Sequence, residues 1–493
     1  MILQQLVKEL TFLERSPWDP SIEITDIVSD SRRVKPGNVF VACSGPATDG
    51  HRFFEEAFQK GSRVWVGERF PEKAMALSGD IVFLKVADSH EALAKFLNEF
   101  YGYPTKKLRV VAVTGTNGKT TIASSLSHLL GLRLPAGYIG TLGYQTPSRQ
   151  GSLSNTTPGT EELFSLMNQM THEGVQALTL EVSSHSLIQR RVEGLEFELA
   201  LFTQLTPEHL DYHKTLENYF QAKRLLFCRE PRPKKMLINR DSPYGRRLLA
   251  ENRTAKSFSL WEEADYQASE IKTTFEGSEF IFQWKDQKMK VHTQLPFTHN
   301  VSNLTSVLAS LDLLGFNPEE FKEALEDFPG VPGRLECIEG HGFKVFIDYA
   351  HTPDAFENIL SETRRLQPKR ILTLFGCGGD RDPFKRPEMT RIAYHYSDRM
   401  ILTSDNPRTE DPQEILRQMR QGLPSNHLLP QVLEIPDRRE AIGELLAMAE
   451  PGDVLLILGK GHEDYQILGN QKIHFDDREV VGDLLKRRSR VVI

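Results

Sequence analysis

No stretch of this 493-residue chain is apolar for the roughly 20 consecutive residues that a bilayer crossing needs, so membrane insertion is not expected. Cysteine is scarce. Cys43, Cys228, Cys337 and Cys377 lie far apart and form no pair with metal-type spacing, which fits a reduced, cytoplasmic setting. Charge of one sign is not concentrated: the net charge of −7 is spread without long like-charge blocks, which argues against a nucleic-acid partner. Repeats and low-complexity tracts are missing too. The first residues do not read as a signal sequence, because Lys8, Glu9, Glu14 and Arg15 interrupt the apolar positions; an amphipathic helix over Ile2–Leu13 is expected instead. What is present is ordinary globular composition, 39% hydrophobic and 26% charged, and at ~150 residues per domain the length suggests about three domains.

One stretch organises the rest. The apolar run Val110–Val113 reads as a strand, Thr114-Gly115-Thr116-Asn117-Gly118 as a glycine-rich turn, and Thr120–Leu130 as a helix entered through Lys119. Strand, loop and helix N-terminus in that order form a phosphate cradle. Backbone N–H groups of the loop and first helical turn point at the anion. Lys119 would add a point charge, and the Thr120 hydroxyl stands where a P-loop holds its Mg²⁺ ligand. The standard pattern wants glycine six residues before the lysine, and Val113 is there. A plain β–α turn would also use glycine for positive φ, but the Gly-Lys-Thr ending favours a nucleotide.

Around this loop the chain reads as an α/β protein in three parts: 1–106, a small N-terminal α/β unit; 107–333, a P-loop-type unit with a mostly parallel sheet; and 334–493, a Rossmann-like doubly wound unit. In the first part Asp30-Ser31-Arg32 is either an anion-binding turn or a plain polar one, and 101–107 reads as a linker. In the second, Thr157 and Thr160 are candidate caps for a helix opening near Glu161. Glu181 closes an apolar strand, at the sheet edge where ligands of α/β folds gather and where a second Mg²⁺ ligand would stand. Lys223 falls on the helix Glu217–Arg229, where a surface lysine is the ordinary expectation, and residues 250–295 carry no legible role. In the third part, polar loops follow four apolar strands: 348–353, 376–381, 405–408 and 459–463.

Together Thr114–Thr120, Glu181–His185, His209–His213, Asn300–Asn303, Pro332–Arg334, Asp348–His351 and Gly459–Glu463 resemble the motif set of the Mur ligase family over nearly the whole chain. That family joins amino acids to a nucleotide-linked muramoyl precursor of peptidoglycan, and the shortened phosphate loop is its own form. The resemblance implies three domains, for the UDP end of the precursor, for ATP, and for the amino acid. It also implies ATP-driven phosphorylation of the precursor's D-Glu carboxylate, with Mg²⁺, followed by amine attack. Lys119, Glu181, His209 and Lys223 would be catalytic. Thr120, Glu181, His209 and Lys223, the last as an N6-carboxylysine carbamate, would hold metal. Gly115, Thr116, Asn117, Gly118, Lys119, Thr120, Thr121, Asn300, Asn303, Arg334, Asp348 and His351 would bind ATP. Ser31, Thr156, Thr157, Ser183, Gln189 and Arg191 would bind the UDP precursor.

The stretches Asp30–Arg32 and Asp405–Arg408 look most like members that add the third peptide residue. Arg381, Asp405, Asn406, Pro407, Arg408, Gly459 and Glu463 would form the amino-acid site. Arg408 points to meso-diaminopimelate, whose second carboxylate suits a planar guanidinium; surface pairing of Arg408 with Glu410 or Asp411 is the plainer alternative. The expected substrates are ATP, a UDP-N-acetylmuramoyl dipeptide and meso-diaminopimelate, on a monomer. The same ligation with L-lysine, a folylpolyglutamate synthase, and a non-catalytic nucleotide-binding relative remain as alternatives.

Overall fold

The computed structural model describes residues 1–8, 10–45, 48–70, 81–424 and 431–491, the side chains of 488–491 excepted. Among these residues the strands form sheets of five, eleven and six, with one separate hairpin.

The first sheet runs parallel through Asp26–Val28, Asn38–Val41, Val64–Gly67 and Val82–Lys85, and Glu14–Arg15 closes its edge antiparallel. The long amphipathic helix expected at the start is only one turn, Leu3–Leu6; the Glu9 part of that expectation lies outside the described residues. Pro17 and Pro20 bracket the turn that brings Ile24 back beside Met1, so the segment is spent on an edge strand instead. The 101–107 stretch is not a bare linker. Tyr103 takes a φ of +57° and Pro104–Lys107 makes one helical turn, started by a proline whose missing N–H costs nothing there.

The central sheet has a parallel middle, from Lys256–Ser259 through Lys235–Asn239, Phe197–Phe202, Arg109–Thr114 and Ala177–Glu181 to Ala136–Gly140. Val110, Val111, Ala112 and Val113 are all fully buried, because helices cover both faces and a parallel strand has no wet side. The segment without a legible role continues this sheet. Tyr266–Thr273, Ser278–Trp284 and Gln287–Thr293 form an antiparallel meander. Its middle strand alternates buried and half-exposed residues, the mark of one packed face. The turn of the meander carries Phe275, whose ring stands 6.2 Å from that of Phe346 in the third unit.

The C-terminal sheet is parallel through Val432–Glu434, Arg399–Leu402, Ile371–Phe375, Val454–Leu458 and Lys344–Asp348, with Glu336–Glu339 antiparallel at the edge. The strands Lys344–Asp348, Ile371–Phe375, Arg399–Leu402 and Val454–Leu458 all end at the expected polar loops, and a parallel sheet collects those ends on one side. A buried ion pair ties two of these ends together. Arg438 donates through Nε and Nη2 to Asp477 at 2.8 and 2.7 Å, and through Nη2 and Nη1 to the carbonyls of Leu458 and Ser404. Both side chains are completely buried. Removing one partner of such a pair strands the other charge, so Asp477→Ala is expected to cost about 3–5 kcal/mol. Denaturant unfolding followed by a probe in the third unit reads this; an unchanged midpoint would contradict it.

Candidate active site

The phosphate-type loop is held against two neighbours. Gly115 has a φ of +148° and Gly118 one of +87°. A Cβ on Gly115 would stand 1.8 Å from Thr203 Oγ1, and one on Gly118 would stand 2.6 Å from Asn303 Oδ1. Thr203 donates to the Asn117 carbonyl at 2.6 Å, and Thr116 N–H donates to the Gln204 carbonyl at 2.8 Å. The helix Lys119–Gly131 begins at Gly118 without a side-chain cap, which leaves its first amides for an anion. Lys119 Nζ donates to the carbonyls of Gly115 and Thr116 at 3.0 and 2.6 Å.

Glu181 is fully buried at the end of its strand. Its carboxylate accepts from Thr120 Oγ1 at 3.0 Å, Tyr138 Oη at 2.5 Å, and Thr141 N and Oγ1 at 3.0 and 3.1 Å. Lys223 is not a surface lysine. It is 1% exposed, and its Nζ donates to the Gly115 carbonyl at 2.8 Å, the same carbonyl that Lys119 uses. Burial, and then the charge of Lys119, push its ammonium well below the usual lysine range. His209 takes a φ of +55° and lies beside Glu208, Nε2 to Oε1 3.8 Å.

The third unit closes over this loop. Arg334 donates to Thr120 Oγ1 at 3.0 Å, with its guanidinium 4.7 Å above the Tyr349 ring. His351 Nε2 stands 3.4 Å from Glu208 Oε1. Asp348 is buried, accepting from the amides of Leu335 and Ala350, and burial holds its carboxyl above the usual range. Asn303 donates to Asn300 at 3.2 Å on one buried helix face. Thr121 is buried in the first turn of the loop helix. These residues line one cavity of about 550 Å³.

Next to it, Arg191 donates to the Thr157 carbonyl at 2.7 Å and to Gln189 Oε1. Thr141 and Thr156 hydroxyls are 3.2 Å apart. Neither Thr157 nor Thr160 caps its helix: Gly159 stands at the cap, and Thr157 Oγ1 donates to the Glu181 carbonyl. The side chain that does cap is Ser183, on the helix Ser184–Ile188. Ser31 is not part of this network; it donates to Glu56, and Arg32 is paired with Asp30 in a polar turn.

The amino-acid candidates cluster at the strand ends of the third unit. Asn406 donates to Glu463 at 2.8 Å, and Asp405 faces Gly459, where a Cβ would stand 2.8 Å from its carboxylate. Arg408 donates to the Gly379 carbonyl at 2.8 Å, and Arg381 to the Asp380 carbonyl at 3.2 Å. The expected alternative for Arg408 fails: Glu410 pairs with Arg386, and Asp411 caps the helix Pro412–Arg420. Pro407, buried between Asn406 and Arg408, fixes its own φ on this loop.

Sequence reasoning missed several members of the site. Glu208 joins His351, His209 and Tyr219; burial would raise its carboxyl, but the His351 hydrogen bond and the neighbouring charges hold it well below the usual range. Asp354 accepts from Asn117 at 3.0 Å and Thr206 at 3.1 Å across the seam. His299, beside the noticed Asn300, is half-buried, and its buried Nδ1 is unpartnered. Each had a local signal, adjacency to a singled-out motif: Glu208 to His209–His213, Asp354 to the 348–353 loop, and His299 to Asn300–Asn303.

Three family models match in succession: the Mur ligase family catalytic domain over 23–101, the Mur ligase middle domain over 113–311, and the Mur ligase glutamate ligase domain over 333–461. The chain is 41% identical to the UDP-N-acetylmuramoyl-L-alanyl-D-glutamate–2,6-diaminopimelate ligase of Geobacillus kaustophilus, covering 98% of this chain and 100% of the relative. It belongs to the Mur ligase family. The same-named ligase of Clostridium tetani is 40% identical with 99% of both chains covered. A solved structure of a 2,6-diaminopimelate ligase of that name shares 30% identity over 99% of both chains, with a TM-score of 0.71. A folylpolyglutamate synthase from Mycobacterium tuberculosis shares the fold, at 18% identity, a TM-score of 0.59 and 74% coverage of this chain.

In a Mur ligase with this loop the steric limit at Gly115 is directly testable. Its φ favours glycine and a Cβ has no room beside Thr203, so Gly115→Ala should destabilise the central unit by about 1–3 kcal/mol. Thermal or denaturant unfolding checks this; an unshifted midpoint would mean that the strand end at Thr203 yields freely.

Proposed function

We propose that this Mur ligase adds meso-diaminopimelate to UDP-N-acetylmuramoyl-L-alanyl-D-glutamate, using ATP, in the cytoplasm and as a monomer. The family makes amide bonds at the expense of ATP, and the near-full-length relatives carry that substrate in their names. The observation that carries the amino-acid assignment is Arg408, an arginine in no ion pair among the described residues, on a stiffened loop beside Asn406 and Glu463. The domain limits 1–106, 107–333 and 334–493 belong to this reading, with the precursor's UDP end on the first.

The chemistry follows from the charges. A carboxylate is a poor electrophile, and phosphorylation gives it a leaving group. Two anions must meet, so cations have to offset their repulsion. Lys119 and the helix amides would hold the outer phosphates; Arg334, Asp348, His351, Asn300 and Asn303 would hold the rest of the nucleotide at the seam. Thr157, Ser183, Gln189 and Arg191 would orient the D-Glu end of the precursor, with Thr156 beside them. Asn406, Asp405 and Glu463 would take the amine of the incoming amino acid, and Arg381 its near carboxylate.

The buried Thr120 hydroxyl and Glu181 carboxylate, 3.0 Å apart, suit Mg²⁺, a hard cation that takes oxygen ligands and few from protein. Mg²⁺ would neutralise charge on the transferring phosphoryl group. Lys223 as an ammonium would repel it. As a carbamate it would bring an anion to the same place, and a buried amine beside a second cation is a poor ammonium and available to CO₂. Lys223→Ala should therefore be inactive and partly restored by small carboxylic acids such as acetate. Full activity in Lys223→Ala, or no restoration by any such acid, would contradict the carbamate.

The amino-acid assignment is tested by kcat/KM for diaminopimelate and lysine in wild type and Arg408→Ala. Lysine would leave the half-buried Arg408 guanidinium facing a bare chain end, so the wild type should prefer diaminopimelate by at least 10³-fold. The variant should lose most of that preference. Equal use of lysine by the wild type would replace the assignment by the lysine reaction.

A further inference from the structure

Two loops carry the candidate arginines of the amino-acid site: 376–381, which holds Arg381, and 405–410, which holds Arg408. Beneath them lies Arg386, in the first turn of the helix Lys385–Tyr396 and completely buried. Its Nη1 donates to Glu410 Oε2 at 2.8 Å and to Gln418 Oε1 at 2.7 Å. Its Nη2 donates to Glu410 Oε1 at 2.9 Å and to the Gly378 carbonyl at 3.0 Å. One guanidinium thus binds a backbone carbonyl of one loop and the carboxylate of the other. Glu410 makes the reciprocal tie, accepting the Asp380 N–H at 2.5 Å. Arg386 and its neighbours hold the Glu410 carboxyl below its usual range.

The ties continue outward to Arg408. Gly379 N–H donates to the Asn406 carbonyl at 2.9 Å, and Asp380 accepts from Thr409 N and Oγ1. Arg408 itself has a φ of +53°, unfavourable for a side-chain-bearing residue, and is clamped on the far side by the hairpin Tyr465–His474 through its own N–H and carbonyl. A strained backbone persists only where its surroundings over-determine it. The loops approach so closely that a Cβ on Gly379 would stand 1.9 Å from the Pro407 carbonyl.

We propose that Arg386 and Glu410 are a positioning pair for the amino-acid site: by binding both loops at once they set the separation of Arg381 and Arg408, and with it the length of dicarboxylic amino acid the site accepts. This rests on the assignment of Arg381 and Arg408 to the amino acid made above. Neither member of the pair needs to touch the substrate. Their charges cancel below the site, so Arg408 is left to attract a carboxylate.

The test is steady-state kinetics of Glu410→Gln, Glu410→Asp and Arg386→Lys, with far-UV circular dichroism and a melting curve to verify folding. Glutamine keeps the shape of Glu410 and removes its charge. The KM for diaminopimelate should rise at least tenfold and the preference over lysine fall at least tenfold, while KM for ATP and for the UDP-dipeptide stay within twofold. Glu410→Asp, which keeps the charge but shortens the reach, should recover part of the loss. Folded variants with unchanged diaminopimelate KM and selectivity would overturn the proposal. So would an equal rise in all three KM values, the sign of a merely structural role. If wild type uses lysine alone, the substrate assignment fails separately, and the KM for lysine then judges the pair by the same tenfold criterion.

Discussion

A carboxylate with no solvent around it is the constraint on which the centre of this molecule depends. Glu181 ends a fully buried strand, and water cannot compensate its charge there. Four hydrogen bonds do so instead, from Tyr138, Thr120 and Thr141. The donors sit on the first turn of the loop helix, the middle of the strand Ala136–Gly140 and the turn after it, so satisfying the carboxylate also fixes all three. Glycine is required nearby for the same reason of crowding: a Cβ on Gly140 would stand 2.3 Å from the Glu181 carboxylate.

The second and third units meet through polar contacts rather than a continuous apolar core. Arg334 on Thr120, Asp354 on Asn117 and Thr206, and His351 near Glu208 all place a side chain of the third unit on the phosphate loop or the strand end beside it. Such contacts are individually weak next to buried apolar area and can exchange with ligand. The apolar part of the seam includes Phe275 and Phe297 packed on the buried Phe346.

The third unit repeats the logic with ion pairs. Arg438–Asp477 ties the strand ends that launch the 404 and 459 loops, and Arg386–Glu410 ties the first of these loops to the 376–381 loop. Fully buried guanidiniums suit this task because one planar group reaches two or three acceptors in fixed directions. The outer arginines, Arg381 and Arg408, are left with backbone carbonyls alone.

Local chemistry wrote much of this into the sequence. The apolar run Val110–Val113 followed by Gly-rich turn and Gly-Lys-Thr determined a strand, an anion loop and a helix; the four apolar runs of the third unit determined strands with polar loops at their ends. These signals need only near neighbours: side-chain period, turn glycines, helix starts. The first helix failed because a few apolar positions in a helical rhythm also suit a short turn and an edge strand. The role of 250–295 was illegible because its meander joins the sheet only through Lys256–Ser259, whose other partner, Lys235–Asn239, lies outside the segment. The tertiary structure alone decided what depends on distant partners. Lys223 looks like a solvated helix lysine until a carbonyl 108 positions away claims its ammonium. Arg334 finds Thr120 across 214 positions, and Asp354 finds Asn117 across 237. Burial and pairing over such separations are properties of the packed chain, because only packing removes the water that would otherwise solvate each charge by itself.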